Sequence, residues 1–264
     1  MNNKHQKASR PIEFDIITLT KNSAHCVLDT LESVSQQDYQ HIHHIIIDGH
    51  STDETVSLIN QYNHQKKVTI FQQNGVGIAN AFNVGLIKSS SNLVIFLNSG
   101  DTLVNEVVIT KLLDSYIKEK WLWAFGETIS RSRKQYLKRY IKQYSHWDQN
   151  LFLSRNPICH QSTIFSQELL KKVGLYDERL TLEMDYDFNI RASLIAEPHL
   201  LYFPISYYDT TGVSSIKVFK HYKIHRELRK KYFPLSPINS LRIDALCFLK
   251  ACMRFMMIPM KMFL

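Results

Sequence analysis

Apolar and polar positions follow two different periods along the first hundred residues. Phe14–Thr20 (FDIITLT), His43–Asp48 (HHIIID), Val68–Gln72 (VTIFQ) and Asn92–Asn98 (NLVIFLN) are short, largely apolar runs rich in β-branched and aromatic side chains. Between them, Ser23–Gln37 sets Val27, Leu28, Leu31 and Val34 at helical spacing. Ser51–Tyr62 reads as a second helix, opened by Ser51 or Thr52 with Glu54 close behind, and Gly77–Lys88 as a third. Further helices are expected over Leu103–Tyr116, with Asp101 as a cap, and through Asn189–Leu194. Apolar strands separated by helices predict an α/β fold: a mainly parallel sheet with helices on both faces. Ligands of such sheets bind beyond the carboxyl ends of the strands, so the residues just after each strand are the candidate chemistry.

Those strand ends are polar. The first is followed by Thr18-Leu-Thr20-Lys-Asn22, the second by Asp48-Gly-His-Ser-Thr-Asp53, the third by Asn74-Gly-Val-Gly77 and the fourth by Asn98-Ser-Gly-Asp101. One rim thus gathers Asp48, Asp53 and Asp101. Clustered carboxylates serve a divalent cation or a polar ligand, although Asp53 and Asp101 also suit plain helix capping. Gly75-Val-Gly77-Ile-Ala-Asn80 imitates a dinucleotide fingerprint. It has Asn80 in place of the third glycine, and no acid near Asn98-Ser99 to hold a ribose. A Walker loop is absent. His41-Ile-His43-His44 reads as a solvated strand end rather than a zinc site.

Composition narrows the class. With 44% hydrophobic residues, 8 glycines and 7 prolines, the chain is neither collagen-like, mucin-like nor disordered. The first fifteen residues hold no apolar run, so no secretory leader is expected, and no uncharged apolar stretch is long enough to predict a transmembrane helix. The four cysteines form no Cys-x-x-Cys, which points to a reducing cytosol.

Charge is unevenly placed. The net charge is +8, yet residues 217–264 alone hold eleven Lys and Arg against Glu227 and Asp244. The basicity therefore belongs to the tail, and it suits an acidic partner: membrane, phosphate-bearing substrate or nucleic acid. Ser240–Leu264 predicts a basic amphipathic helix, broken near Pro259, that lies on an anionic membrane surface. The same stripe would also suit docking on the rest of the chain or on a second subunit, giving a homodimer. Between Trp121 and Asn156, Arg131, Arg133, Lys134, Lys138, Arg139 and Lys142 alternate with Tyr136, Tyr140 and Tyr144. From the residues alone, that stretch suits a nucleic acid strand, a stacked glycan or a lipid diphosphate.

Taken in order, DIITLTKN, IIIDGHSTDET, NGVGIANAFNVGL and VIFLNSGD resemble the nucleotide-sugar-binding half of family 2 glycosyltransferases of the GT-A fold. CHQSTIF (Cys159–Phe165) and GLYDERLTLEMDYDFNIRA (Gly174–Ala192) resemble that family's acceptor-side segments. The likeness covers residues 12 to 215 and is nearest to the bacterial transferases of colanic acid, capsule and lipopolysaccharide synthesis. It implies a nucleotide-sugar-binding half over 12–101, an acceptor half over 102–215, a basic tail over 216–264 and a disordered stretch over 1–11. It implies a nucleotide pocket lined by Thr18, Thr20, Asn22, Asp48, Asp53, Asn83 and Gly85. NSGD stands where the family has its metal-binding Asp-x-Asp, so Asp101 and Asn98 would hold Mn²⁺ or Mg²⁺, with Asp101 alone supplying charge. Asp185 of MDYDF falls on the catalytic base, and His160, Gln161 and Asp187 would lie on the acceptor side. Asp187 would point the same way as Asp185 only if the segment is extended.

The activity implied is inverting transfer from a nucleotide-diphosphate sugar, a UDP-sugar first, to a glycan or polyprenyl-diphosphate-linked acceptor on the cytoplasmic side of a bacterial plasma membrane, with no nucleic acid partner. Two other classes are a pyrophosphorylase-like enzyme and a non-catalytic basic adaptor. The first would need a glycine-rich basic loop after the first strand, and Thr18–His25 has no glycine. The second would need no acids at the strand ends.

Overall fold

The computed structural model of the chain describes residues 11–63, 68–131, 139–140, 145–209 and 218–262. The N-terminal stretch through residue 10 and most of the basic and aromatic stretch between 131 and 144 lie outside them.

The first half follows the expected alternation. It runs β1 (Phe14–Thr20), α1 (Val27–Ser35), β2 (Ile42–Asp48), α2 (Thr55–Asn63), β3 (Val68–Gln72), α3 (Ile78–Lys88), β4 (Leu93–Phe96), β5 (Thr102–Leu103) and α4 (Val108–Glu119). The second half runs β6 (Trp123–Arg131), β7 (Arg139–Tyr140), β8 (Thr163–Ser166), α5 (Gln167–Val173), α6 (Met184–Ile195) and β9 (His199–Asp209). Two tail helices follow, α7 (Val218–Tyr232) and α8 (Pro237–Met262).

All strands join one sheet in the order β3-β2-β1-β4-β8-β6-β9-β5, with β7 on β6. The strands β3, β2, β1 and β4 are parallel, and β1 runs alongside β2 from Phe14–Ile42 to Thr20–Asp48. Beyond β4 the sheet becomes mixed: β8 is antiparallel to both β4 and β6, while β6 and β9 are parallel. The two-residue periodicity of the strands divides the core. Ile17, Ile47 and Phe96 face α3 and α6, whereas Phe14, Ile16 and Ile95 face α4. Helices thus cover both faces, as the apolar strands require.

Two expectations change. The helix foreseen over Leu103–Tyr116 begins only at Val108, and Asp101 does not cap it. Thr102 and Leu103 instead pair with Tyr207 and Ser206 of β9. The first-turn N–H of Ile109 donates to Gln37 Oε1, 72 residues away, at 3.2 Å. Local sequence has no means of showing a cap supplied from that distance. The tail helix is also not broken at Pro259, since α8 continues to Met262.

The tail packs on the domain through one face. Ile224 and Leu228 of α7 enter the core beside Met184 and Tyr186 of α6. Asp244 of α8 accepts from Arg226 Nε at 2.6 Å and from Arg229 Nη2 at 2.8 Å, which ties α8 to α7. Cys247 and Ala251 are buried on the same side of α8, while Leu241, Leu249, Met253, Phe255 and Met256 are exposed.

Candidate active site

The rim is assembled where β1, β2 and β4 end. Thr20 lies opposite Asp48 across the parallel pair. The Asp48 carboxylate is fully buried and accepts from Ser51 N at 3.0 Å and Ser51 Oγ at 2.6 Å. Thr20 Oγ1 is buried beside it with no hydrogen-bond partner. Two polar groups at the mouth of a strand pair, one of them unsatisfied, mark a place prepared for a polar ligand.

Other expected pocket residues are engaged in building the rim rather than lining it. Asn22 adopts a left-handed φ of 49° and accepts from Thr52 N at 2.8 Å, fastening the β1 end to the β2 end. Asp53 accepts from Thr55 N, Thr55 Oγ1 and Ala24 N, and the hydrogen bond from the Thr55 hydroxyl holds its carboxyl below the usual range. It caps the start of α2. Thr18 is turned into the sheet and donates to Leu97 O at 2.7 Å. That uses its one proton, so the 2.9 Å contact with His44 must be donated by His44 Nε2. Burial drives the His44 pKa down to about 3, which keeps it a neutral donor and not a solvated strand end.

Asn83 and Gly85 are likewise displaced from the pocket. Asn83 clamps the backbone of Tyr176, donating to its O at 3.0 Å and accepting from its N at 2.8 Å, and it also reaches Glu178. Gly85 is required by helix-to-sheet packing, because a Cβ there would fall 2.5 Å from Ile17 Cγ2.

The Asn98–Asp101 turn is folded tightly. Gly100 has φ 96° and donates to Thr30 Oγ1, and Thr30 Oγ1 donates onward to Asp101 O. Asp101 is 3% exposed. Asn98 Oδ1 and Ser99 Oγ are buried without hydrogen-bond partners. The donor set is oxygen only, with one carboxylate, which fits a hard cation that takes its remaining ligands from a diphosphate and water. Among the described residues, no group of three or more His, Cys, Asp or Glu is arranged to hold a metal alone.

Asp185 lies in the first turn of α6. Asn156 Nδ2 donates to its Oδ2 at 3.0 Å. Burial and the nearby Glu183 charge push the Asp185 pKa up to about 6. Cys159 lies between the two acids. Burial raises its thiol to about 12, and the charges of Asp101 and Asp185 add to the effect. The thiol is thus a donor, to Gln161 Oε1 at 3.1 Å, and not a nucleophile. The charges of Asp101 and Asp185 thus both reach Cys159, whose thiol is bonded to Gln161.

His160 and Asp187 behave differently from the expectation. His160 is stacked on Phe96 at 5.0 Å and edged by Phe82 at 4.8 Å, and neither ring nitrogen has a hydrogen-bond partner. Burial lowers its pKa to about 3, so it is a neutral ring in an aromatic box. Asp187 is 1% exposed and accepts from Arg191 Nε at 2.8 Å and Tyr232 Oη at 2.7 Å. The segment is helical, and two residues along a helix turn a side chain by about 200°. Asp187 therefore points away from Asp185, into the seam with α7. A second feature went unseen in the sequence: His221 and His225 of α7 both engage Glu183, two residues before Asp185. Their spacing of four on a predicted helix was the available signal.

A mixed sheet with a polar rim, a tight oxygen-lined turn and a carboxylate whose charge reaches the same cysteine as that of Asp101 defines a glycosyltransferase of the GT-A fold. The model of the glycosyl transferase family 2 matches residues 15–174, and the chain belongs to that family. It is 27% identical over 237 residues to an uncharacterised glycosyltransferase of Mycobacterium tuberculosis, covering 87% of each chain. It is also 27% identical over 182 residues to a PGL/p-HBAD biosynthesis glycosyltransferase of Mycobacterium bovis, covering 67% of this chain and 68% of that one. Among solved structures, Staphylococcus aureus TarS in complex with UDP superposes with a TM-score of 0.66 at 18% identity, over 90% of this chain and 71% of that one. The mannosyltransferase PcManGT of Pyrobaculum calidifontis, in complex with GDP-Man and Mn²⁺, gives 0.63 at 15% identity, over 92% and 72%.

Proposed function

We propose that the protein is an inverting glycosyltransferase that moves a sugar from a UDP-sugar to a hydroxyl of a glycan or polyprenyl-diphosphate-linked oligosaccharide in bacterial surface polysaccharide synthesis. The observation that carries the reading is Asp185, raised to about 6 in the first turn of α6 and near enough to Asp101 that both charges act on Cys159. A base with a pKa near neutrality is ionised at working pH and still accepts a proton readily. In a single displacement, Asp185 takes the acceptor hydroxyl proton as the acceptor oxygen bonds to C1. The C1–oxygen bond to the diphosphate breaks on the opposite side. Residues 12–101 would hold the donor, with Thr20 and Asp48 at the nucleotide, and residues 102–215 would supply the acceptor side. Asp101 and Asn98 would hold Mn²⁺ or Mg²⁺, whose charge offsets that of the diphosphate. The TarS complex with UDP, the PcManGT complex with GDP-Man and Mn²⁺ and the PGL/p-HBAD biosynthesis name of the M. bovis relative support the choice of a nucleotide-sugar donor, a divalent cation and a biosynthetic role.

Calorimetric titration tests the pocket. Asp48→Asn is expected to weaken UDP binding about tenfold or more with or without Mn²⁺, since a charge-assisted hydrogen bond contributes about 1.5–3 kcal/mol. Asp101→Asn is expected to remove mainly the gain that Mn²⁺ confers. If both variants bind UDP as the wild type does under both conditions, the nucleotide site lies elsewhere.

The reading includes a peripheral site of work on the inner face of the plasma membrane. Among the described residues, no helix is long and apolar enough to cross a membrane. α8 presents Leu241, Leu249, Met253 and Met256 outward on the side away from Asp244, Cys247 and Ala251, with Arg242, Lys250 and Arg254 alongside. An outward apolar arc flanked by cations suits anionic lipid, each cation near the surface contributing about 1 kcal/mol. Deleting α8 would also strip Asp244 from the buried Arg229. A cleaner test is Leu249→Glu with Met253→Glu, both at exposed positions. The double variant is expected to lose co-sedimentation with phosphatidylglycerol-containing vesicles while melting like the wild type. Unchanged vesicle binding would end the membrane reading.

A further inference from the structure

Glu183 precedes α6 at φ 63°, a left-handed conformation that is costly for a residue with a side chain. Helix capping does not explain it, because its side chain makes no cap hydrogen bond. The carboxylate is instead turned toward α7, where His221 Nδ1 engages one oxygen and His225 Nε2 the other, the latter at 2.5 Å. All three side chains are 14–17% exposed. The His225 ring also lies on Tyr186, with centroids 4.2 Å apart, and the Tyr186 hydroxyl donates to Phe152 O. α7 therefore grips the chain on both sides of Asp185, at Glu183 and at Tyr186.

We propose that Glu183, His221 and His225 form a positioning clamp for the base: they fix the first turn of α6 so that Asp185 faces the acceptor hydroxyl, and they set the charge that Asp185 senses. The proposal rests on Asp185 being the base. A carboxylate shared by two imidazoles is held in one place by both oxygens, which a lone hydrogen bond does not achieve. Strain at Glu183 is consistent with a residue held for its neighbour's sake.

The electrostatics agree with the geometry. Burial works against ionisation of Glu183, but hydrogen bonds from His221 and His225 hold its pKa at about 2. Glu183 thus stays an anion beside Asp185 and, after burial, is the next cause of the raised Asp185 value, while His225 opposes it. The other charged or titratable groups nearby come from every packed element. Asp101 and Cys159 lie on the strand side, and Tyr176 senses Asp185 from the loop before α6. Asp187 is paired with Arg191 within α6. On α7, Lys220 is bonded to Thr181, Lys231 stands 3.6 Å from Asp187, and Arg229 acts on Tyr186. None of these engages the Glu183 carboxylate as the two imidazoles do.

The test is the acidic limb of the kcat–pH profile, read with thermal unfolding and UDP titration for each variant. Glu183→Gln removes an anion, so the limb is expected to move down by half a unit or more. His225→Gln removes the imidazole whose electrostatic influence lowers the Asp185 value, so the limb is expected to move up by a similar amount. Both should lower kcat at pH 7 about three- to tenfold and leave the donor KM within about twofold. Shifts in opposite directions are what a purely structural role does not produce. If Glu183→Gln does not fold, His225→Gln carries the test alone with its upward shift. Shifts of Glu183→Gln and His225→Gln in one direction, no shift for His225→Gln, or loss of UDP binding alongside kcat overturn the clamp. Asp185→Asn separates the two readings. If it keeps turnover, the base assignment itself fails; if it is inactive while the limbs stay in place, only the clamp fails.

Discussion

Asp185→Asn is expected to lose at least about a hundredfold in kcat while keeping UDP-sugar affinity within about twofold, because a general base contributes about 10²–10⁴-fold and this one does not touch the nucleotide. The substitution is nearly isosteric, and Oδ1 of the new amide still accepts from Asn156. The same variant is expected to be more stable than the wild type near neutral pH. Asp185 is raised to about 6 from 3.8, so the native state holds its proton more tightly than the unfolded chain does. That contribution is fully present below about pH 3.8 and is lost as the pH rises through about 6. Above that, the wild type keeps an ionised carboxylate in a place that disfavours it. A shift of this size corresponds to at most about 3 kcal/mol, and partial exposure of the side chain reduces it to about 1 kcal/mol. Calorimetric melting at pH 7.5 should therefore place Asp185→Asn about 2–4 °C above the wild type, with the difference gone near pH 4. Wild-type turnover in this variant would remove the base from the mechanism.

Asp187→Ala is expected to do the reverse. It should cost about 3–5 kcal/mol in urea unfolding, because it leaves Arg191 and the Tyr232 hydroxyl without their buried acceptor. At a temperature where it remains folded, transfer should stay within a few-fold of the wild type. The two acids are two residues apart, yet one is expected to govern rate and the other stability. If Asp187→Ala lost turnover without losing stability, the residue would belong to the acceptor side after all.

The difference between these acids shows where the sequence is readable. β1, β2 and β4 were legible because they are buried on both faces and therefore apolar nearly throughout, and β3, at the edge of the sheet, through its β-branched and aromatic run. The polar residues following them were legible as a rim for the same reason. The segment Met184–Ile195 was not. Met184, Tyr186, Phe188, Ile190 and Ala192 are all buried, an alternation that imitates a strand, but Asp187 and Asn189 between them are buried as well. A helix enclosed on all sides has no polar face to mark its period. Whether Asp187 accompanies Asp185 depends on that period, so its role was open until the backbone was seen. The order of β8, β6 and β9 was hidden for a different reason: β4 and β8 pair across some seventy residues, as Ile95 does with Ile164. Thr18, Asn83 and Gly85 match the family's pocket in position along the chain. Their contacts with Leu97, Tyr176 and Ile17 decide where they point, and only the assembled fold brings those residues near.

The placement of the cysteines makes the protein selective toward electrophiles. Cys159, between two acids, is raised to about 12 and stays protonated at any pH used for labelling, so maleimides have almost no thiolate to attack there. Cys26 and Cys247 are buried, and only Cys252, on α8, is both partly exposed and away from the rim. A fluorophore can thus be installed on the tail of the wild-type chain without protecting the site. Its emission would report the polarity of whatever α8 touches while transfer is measured in the same cuvette.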